Sequence, residues 1–568
     1  MEATMTDYRA RYERWLTSDA VDEATKAELR AIAEDEKEIE DRFYKDLEFG
    51  TGGLRGILDA GTNRMNVYTV RRATQGLANY LLMKDPQAKE KGVAIAYDSR
   101  HQSDVFALET AAVFNGNGIK AYVFESLRPT PELSFAVRTL GCKGGIVITA
   151  SHNPSKYNGY KAYWEDGCQV PPPMDEEIIQ EVEKVDLFDG VSVMPRKEAE
   201  ETGLFVSIGE ELDRQYIDVV KSQLLDPEMV RVHAADLTVV YTPLHGTGNR
   251  LVRRALAECG FTNVHVVPEQ EKPDGDFPTV PYPNPEDVRA FGPAIALGEQ
   301  VGADILIATD PDADRVGIMV KTDTGYQHFT GNMTGVLLSS YILEARKKTG
   351  HLPADGFLVK TIVTTEMIRA LTDAYGVELK EVLTGFKYIG QQILEAEKAG
   401  KGTYLFGFEE SFGYLSGTYA RDKDAVSASL LVCEMAAVYK AKNQTLLDAL
   451  HELYETYGYY KETLVSFTFE GIEGIAKMKS LMDELRKNPQ TSYGGLKVLE
   501  CKDYAAGLDG LPPSNVLRFT LENNSWFCAR PSGTEPKIKF YFGVKGESQA
   551  GAEAAVKRLQ DDVTKSIK

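Results

Sequence analysis

The chain has 568 residues, too many for one hydrophobic core, so several domains are expected. Its composition, 43% hydrophobic and 26% charged, is that of an ordinary globular protein. A formal net charge of −21 leaves no basic field for a nucleic acid or an anionic membrane, so an anionic ligand would need local, deliberately placed cations.

The N-terminal stretch MEATMTDYRARYERWL is charged and lacks the apolar centre of a signal peptide. Tyr8, Tyr12, Trp15 and Leu16 instead share one helical face. No segment approaches the roughly 20 apolar residues of a membrane span, so a cytoplasmic location with no membrane partner is expected. The six cysteines are scattered without a CxxC pair, which excludes a zinc ribbon or thioredoxin-type motif and suits a reducing compartment. FGTGGLRG (49–56) is Gly-rich, yet helical sequence precedes it and its glycines do not fit a dinucleotide fingerprint. P-loop, HExxH and GxSxG signatures are also missing.

From residue 90 to 415 one order of events recurs three times. GVAIAYDSR, AYVFES and GIVITASHNP make the first round. LTVVYTPLHGTGN, NVHVVPEQ and ADILIATDPDADR make the second, and FLVKTIVTTE, VELKEVLTGFKYIG and TYLFGFEESFGYL the third. Apolar strands separated by helix-length segments predict parallel βαβ units buried on both faces. After about residue 460, KETLVSFTFEG, GLKVLECKDY and the run to FYFGVKG, closed by a helical tail, predict an antiparallel α+β domain. The expected architecture is α/β, with three similar domains of parallel-rich mixed sheets and a different fourth. Their expected extents are 1–225, 226–328, 329–458 and 459–568, packed around a common cleft since no low-complexity linker separates them.

In each round the last strand runs into a polar, Gly-bearing loop, where ligands of open α/β sheets collect. DPDADR puts Asp310, Asp312 and Asp314 at alternate positions, which an extended segment turns to one side. Three crowded carboxylates call for a cation, and oxygen ligands suit Mg2+; the alternative is a solvated acidic turn. An EF-hand fails, because its sixth and twelfth positions hold Arg315 and Lys321. GFEESFGY offers Glu409 and Ser411 on one side of an extended loop, suited to sugar hydroxyls or else an acidic surface turn. RPSGTEP offers Arg530, Ser532, Thr534 and the N–H groups around Gly533 as donors to a phosphate, or forms a simple turn between strands. In ITASHNPSKYNGYK, Ser151 lacks a His-Asp pattern for acyl transfer. Beside a Mg2+ site it suits a hydroxyl that carries a phosphoryl group.

TASHNP, DPDADR, FEESFG and RPSGTEP, in this order and over nearly the whole chain, resemble the α-D-phosphohexomutase superfamily in its long phosphoglucomutase/phosphomannomutase form. The resemblance implies three related α/β domains and a fourth with a TATA-binding-protein-like fold around one cleft. It implies a phosphoserine at Ser151, one Mg2+ per chain held by Ser151 phosphate with Asp310, Asp312 and Asp314, and a glucose 1,6-bisphosphate that serves as activator and intermediate. Arg55 and Lys161 match the proton-transfer and charge-stabilising positions. Lys161 is the candidate general acid/base and would need a lowered pKa. His152 and Asn153 flank the serine and are candidates to orient it. Thr384, Gly385 and Lys423 match sugar and phosphate contacts, Arg315 follows the metal loop, and the cradle from Arg530 to Thr534 grips the phosphate that is not reacting. Phe408 stands where the family's sugar loop usually has glycine, and Pro311 and Ala313 stand where many relatives have glycine. Glu410 and Phe412 favour the phosphoglucomutase pattern over the glucosamine-phosphate type. The expected activity is thus glucose 1-phosphate to glucose 6-phosphate, with mannose phosphates second and pentose phosphates third. Hexose 1,6-bisphosphate synthesis and a non-catalytic sugar-phosphate sensor are the other readings. Small sugar phosphates are the expected partners of a monomer or weak homo-oligomer.

Overall fold

A computed structural model of the protein describes residues 2–50, 53–469, 471–532 and 537–565. The chain forms two compact units, Met1–His328 with Gly413–Ala437, and Phe329–Phe412 with Val438–Lys568.

The first unit opens with helices Glu2–Thr17, Glu23–Ala31 and Glu36–Phe43. Tyr8, Tyr12 and Trp15 are buried with Phe43 and Tyr68, so the predicted apolar face is what the helix hides; Leu16 is only partly covered. The first sheet comprises Gly53–Ile57 (β1), Val93–Tyr97 (β2), Ala121–Phe124 (β3), Gly144–Ile148 (β4), Tyr157–Trp164 (β5) and Phe205–Ile208 (β6), in the order β1-β5-β4-β2-β3-β6. Its centre is parallel, β2 with β3 and β4 and then β3 with β6. β5 runs antiparallel to both β4 and β1. The second sheet comprises Val239–Thr242 (β7), Val264–Val266 (β8), Ile305–Thr309 (β9), Val316–Thr322 (β10) and Gly325–Phe329 (β11), in the order β11-β10-β9-β7-β8. Here β7 is parallel to β8 and β9, and β10 returns antiparallel to β9. Runs such as GGIVI and ILIAT are buried at every residue, as strands covered on both faces require.

In the second unit, Gly356–Thr361 (β12) pairs in parallel with Glu378–Val382 (β13) and Thr403–Glu409 (β14). Gly413–Ser416 (β15) follows, and belongs to the first unit. The last sheet comprises Tyr459–Thr468 (β16), Ser492–Tyr493 (β17), Leu496–Asp503 (β18), Leu517–Leu521 (β19), Ser525–Pro531 (β20) and Lys537–Gly546 (β21). Its order is β16-β21-β20-β19-β18-β17, antiparallel throughout, with helix Gln549–Thr564 packed on it. The α/β class with three parallel-rich sheets and a different fourth domain is therefore borne out.

Strands β1, β5, β6 and β11 lie outside the runs expected from the sequence. Part of FGTGGLRG forms β1, and Gly53 faces Lys161 in register across β5. A five-residue strand whose partner lies a hundred residues away carries no local periodicity to announce it. Among the described residues, no helix is long and apolar enough to cross a membrane.

Candidate active site

Two features of the first unit converge. β4 ends at Ile148, and the chain turns sharply through Ser151, whose φ of +51° lies in the left-handed region. For a residue with a Cβ that conformation costs about 1–2 kcal/mol, so neighbouring bonds must hold it. Ser151 is buried, and its Oγ donates to Asp310 Oδ2 at 2.8 Å and lies 3.1 Å from His152 Nδ1. Burial, then Arg315 and Arg55, push His152 well below the usual histidine range, so its ring is neutral.

Asp310 follows β9. The segment after it is a tight turn rather than the extended run expected from the sequence. Ala313 is left-handed at φ +49° and donates its N–H to Asp310 O at 2.9 Å, while Asp314 N and Arg315 N donate to Asp310 Oδ1 at 3.1 and 2.9 Å. The turn, not strand alternation, brings the carboxylates together. Gly246 backs it closely: a Cβ there would lie 2.4 Å from Pro311 Cα, and the adjacent Thr247 N donates to Pro311 O at 2.8 Å.

Asp310, Asp312 and Asp314 are buried, with one oxygen from each lying within 4.8 Å of the others. Lys161 Nζ, from β5, reaches Asp312 Oδ2 at 2.7 Å and Asp314 Oδ2 at 3.3 Å. Lys423 Nζ stands 3.0 Å from Asp314 Oδ2 and 3.3 Å from Asp422 Oδ1. Thr130 Oγ1 donates to Asp312 Oδ2 at 2.7 Å. Asp312 Oδ1 and Asp314 Oδ1 are buried without a hydrogen-bond donor. Two sealed carboxylate oxygens without hydrogen-bond donors, with only Arg315 Nε at 3.8 Å from Asp314 Oδ1, are what a hard divalent cation would satisfy.

The charges respond accordingly. Burial, then Asp312 and Asp314, raise Asp310 well above the carboxylate range. Burial alone would raise Asp312 too, but Lys161 beside it wins and holds it low. Asp314 is also lowered, because Lys423, Lys161 and Arg315 outweigh burial and Asp312. Lys161 differs from expectation. Burial favours a lowered pKa, yet Asp312 and Asp314 raise it, so Lys161 here carries a firmly held proton.

The other sequence candidates divide between the units. Arg55 lies exposed on β1 opposite Gly159 and close enough to His152 to affect its charge. Arg315 Nη1 bonds Glu286 at 2.5 Å. Asn153 accepts from Arg100 through its carbonyl. Lys423, read as a substrate contact, sits among the aspartates. Within the second unit, Glu409 Oε1 accepts from Gly385 N at 2.9 Å, which brings the Thr384–Gly385 loop to the end of β14. Ser411 lies in a turn closed by Phe412 at φ +67°, again not an extended loop. The next acid, Glu410, accepts from Thr361 and Thr364 at 3.2 and 3.3 Å. Arg530 ends β20 half-buried, and both it and Glu410 act on the buried Tyr541 hydroxyl, which burial raises first. Ser532 N donates to Lys537 O at 2.7 Å. Gly533 and Thr534 lie outside the described residues.

Asp98, Arg100, Thr130, Thr149 and Asp422 were missed as contributors. Asp98 and Arg100 were open to discovery, since YDSR follows β2 at a strand end like the other loops.

A multidomain α/β fold is defined here, with a buried serine hydroxyl and a cluster of carboxylates at the ends of sheet strands. Family models agree piece by piece: Phosphoglucomutase/phosphomannomutase alpha/beta/alpha domain I matches residues 46–188, domain II 214–325, domain III 330–457 and the C-terminal domain 476–565. A phosphoglucomutase of Staphylococcus aureus strain MRSA252 is 37% identical over 531 residues, 91% of this chain and 93% of that protein. Among solved structures, pp63/parafusin from Paramecium, a phosphoglucomutase in its open form, matches with TM-score 0.69 and 19% identity over 92% of this chain and 95% of its own. A phosphoglucomutase/phosphomannomutase family protein of Burkholderia thailandensis matches with TM-score 0.64 and 18% identity over 92% and 96%. The chain belongs to the phosphoglucomutase/phosphomannomutase family.

Proposed function

We propose that the protein is a phosphoglucomutase, interconverting glucose 1-phosphate and glucose 6-phosphate through a phosphoserine at Ser151 and a glucose 1,6-bisphosphate intermediate that also acts as activator. One observation carries the reading: Ser151 Oγ stands in a left-handed turn, 2.8 Å from the first carboxylate of the buried cluster. Identity of 37% to a phosphoglucomutase over 91% of the chain supports the same substrate.

Transfer breaks the Oγ–P bond of phosphoserine and makes an O–P bond to the sugar's free hydroxyl. One proton leaves that hydroxyl and one returns to Ser151 Oγ; after the bisphosphate reorients, the opposite exchange restores phosphoserine. Lys161, holding its proton against Asp312, enters as a cation that offsets charge on the moving phosphoryl group and as the candidate donor to Ser151 Oγ. His152 orients the hydroxyl, and Arg55 adds positive charge beside it. Asp310, Asp312 and Asp314, with the Ser151 phosphate, would hold one Mg2+ per chain, which when bound acts as a Lewis acid on the phosphoryl oxygens. We assign Thr384, Gly385, Glu409 and Ser411 to sugar hydroxyls. Lys423, Arg315, Arg530, Ser532, Gly533 and Thr534 are assigned to phosphate. The four domains are proposed to divide after residues 225, 328 and 458.

The test is peptide mass spectrometry of freshly purified protein, together with kcat/KM on glucose, mannose and pentose 1-phosphates. Phosphate on Ser151 and a clear preference for glucose are expected. A stable phosphate elsewhere with Ser151→Ala fully active would overturn the mechanism, and a higher kcat/KM for mannose or pentose phosphate would overturn the substrate.

A further inference from the structure

The Ser151 turn hangs on a residue outside its own motif. Arg100 is buried after β2, and its guanidinium reaches across to the loop 151–157. Nη1 donates to Pro154 O at 2.9 Å and Tyr157 O at 3.0 Å; Nη2 donates to Ser151 O at 2.5 Å and to Asn153 O. The Phe277 ring lies 4.9 Å from the guanidinium carbon, and Asp98 Oδ2 is 3.4 Å from Nε. One planar group thereby orders four carbonyls of the loop, those of Ser151, Asn153, Pro154 and Tyr157, something a lysine ammonium cannot reproduce.

The other side of Ser151 leads back to the same place. Ser151 N donates to Thr149 Oγ1 at 2.8 Å, and that hydroxyl donates to Asp98 Oδ2 at 2.6 Å. Asp98 Oδ1 in turn accepts from Arg100 N at 2.9 Å and Ser103 Oγ at 2.8 Å. Both backbone groups of the left-handed serine are thus tied to one Asp98–Arg100 pair.

Resting on the phosphoserine reading above, we propose that Arg100, seconded by Asp98 and Thr149, is the positioning residue that holds Ser151 in the left-handed conformation from which its Oγ gives and receives the phosphoryl group. Arg100 hydrogen-bonds the turn and the Asp98 pair, and it acts through Ser151. An arginine that only stabilised the fold would change the fraction folded, and leave transfer per folded molecule alone. A positioning arginine lowers kcat while substrate affinity stays.

The experiment compares the unaltered full-length protein with Arg100→Lys and Thr149→Val. It measures label transfer from glucose 1,6-bisphosphate carrying radioactive phosphate to Ser151, and kcat and KM for glucose 1-phosphate, both per folded molecule. For Arg100→Lys the expected loss in transfer rate and kcat is roughly 10²-fold, the cost of misplacing a reacting group by about an ångström. KM should move by less than about threefold. Thr149→Val, nearly isosteric, removes the hydroxyl's two hydrogen bonds, with Ser151 N and with Asp98, and should lose roughly tenfold to a hundredfold with the same split. Label on the unaltered protein with normal transfer in Arg100→Lys overturns this inference alone. No label on Ser151 of the unaltered protein overturns the phosphoserine reading as well. Should Arg100→Lys fail to fold, Thr149→Val decides, and an unchanged kcat in it overturns the inference.

Discussion

Each unit buries a cluster of opposite charges, and the two clusters are balanced differently. In the first, Asp310, Asp312, Asp314 and Asp422 face Lys161 and Lys423, while Arg315 is engaged by Glu286. In the second, Glu366 and Glu381 face Lys360, Arg369 and Arg518, with contacts of 2.7 Å from Lys360 to Glu366, 2.9 Å from Lys360 to Glu381 and 2.5 Å from Arg518 to Glu366. Burial would raise both glutamates, but Lys360 and Arg518 hold them low. The second cluster joins β12, β13 and β19 and has three cations for two carboxylates, so it is not short of positive charge, although Glu381 Oε1 and Arg518 Nε are sealed there without hydrogen-bond partners. The first is short of positive charge and keeps two sealed carboxylate oxygens without donors. A buried charge cluster reads as structural when its counter-charges close the account, and as a ligand site when they do not.

Asp312→Asn is the sharpest way to break the comparison. It removes one charge with little change of shape, so kcat should fall roughly a thousandfold, several kcal/mol of transition-state stabilisation, along with Mg2+ dependence. Undiminished turnover in the presence of a chelator would end the account. Lys360→Met asks the converse question in the second cluster. Glu366 and Glu381 each keep Arg369 and Arg518, so the loss of the Lys360 contacts should cost about 1.5–3 kcal/mol of stability in denaturant unfolding of the second unit, without abolishing Ser151 phosphorylation.

Glu462 on β16 adds a titration beside the same network. The residue is half-buried, but its Oε1 is sealed without a donor, and burial raises the carboxyl to about 7 against the lowering pull of Thr365, Lys461 and Lys360; Glu366 raises it further. A raised acid binds its proton more tightly folded than unfolded, so stability falls as pH climbs from about 4.5 to 7. Above that window the penalty is fully present, up to about 3 kcal/mol. Glu462→Gln should therefore stabilise the protein at pH 8 and flatten the pH dependence; equal unfolding midpoints at pH 8 would sink the idea.

The smallest expected change concerns Arg530. Arg530→Ala should lose roughly 1.5–3 kcal/mol per charge-assisted hydrogen bond, about tenfold to over a hundredfold in kcat/KM, in both reaction directions. Arg530→Lys should restore it only in part. A loss in one direction alone would confine Arg530 to a single phosphate position.

What the sequence by itself determined is the chemistry at strand ends. Apolar runs stop at Ile148, Thr309 and Glu409 and are followed by Ser151, by the three aspartates and by Ser411, because buried strands need continuous hydrophobic residues and their ends do not. The tertiary structure alone decided how those groups behave. The carboxylates meet through a left-handed turn at Ala313, while spacing by itself suggested an extended segment. Lys161 is drawn toward protonation because β5 lays it beside Asp312 and Asp314, residues 151 and 153 positions away in sequence. Arg100 reaches Ser151 across 51 positions, and β1 finds β5 across about twice that span. Local pattern encodes which face of a strand is apolar. Electrostatic fields and antiparallel partners are set by distance in space, and chain order does not carry that distance.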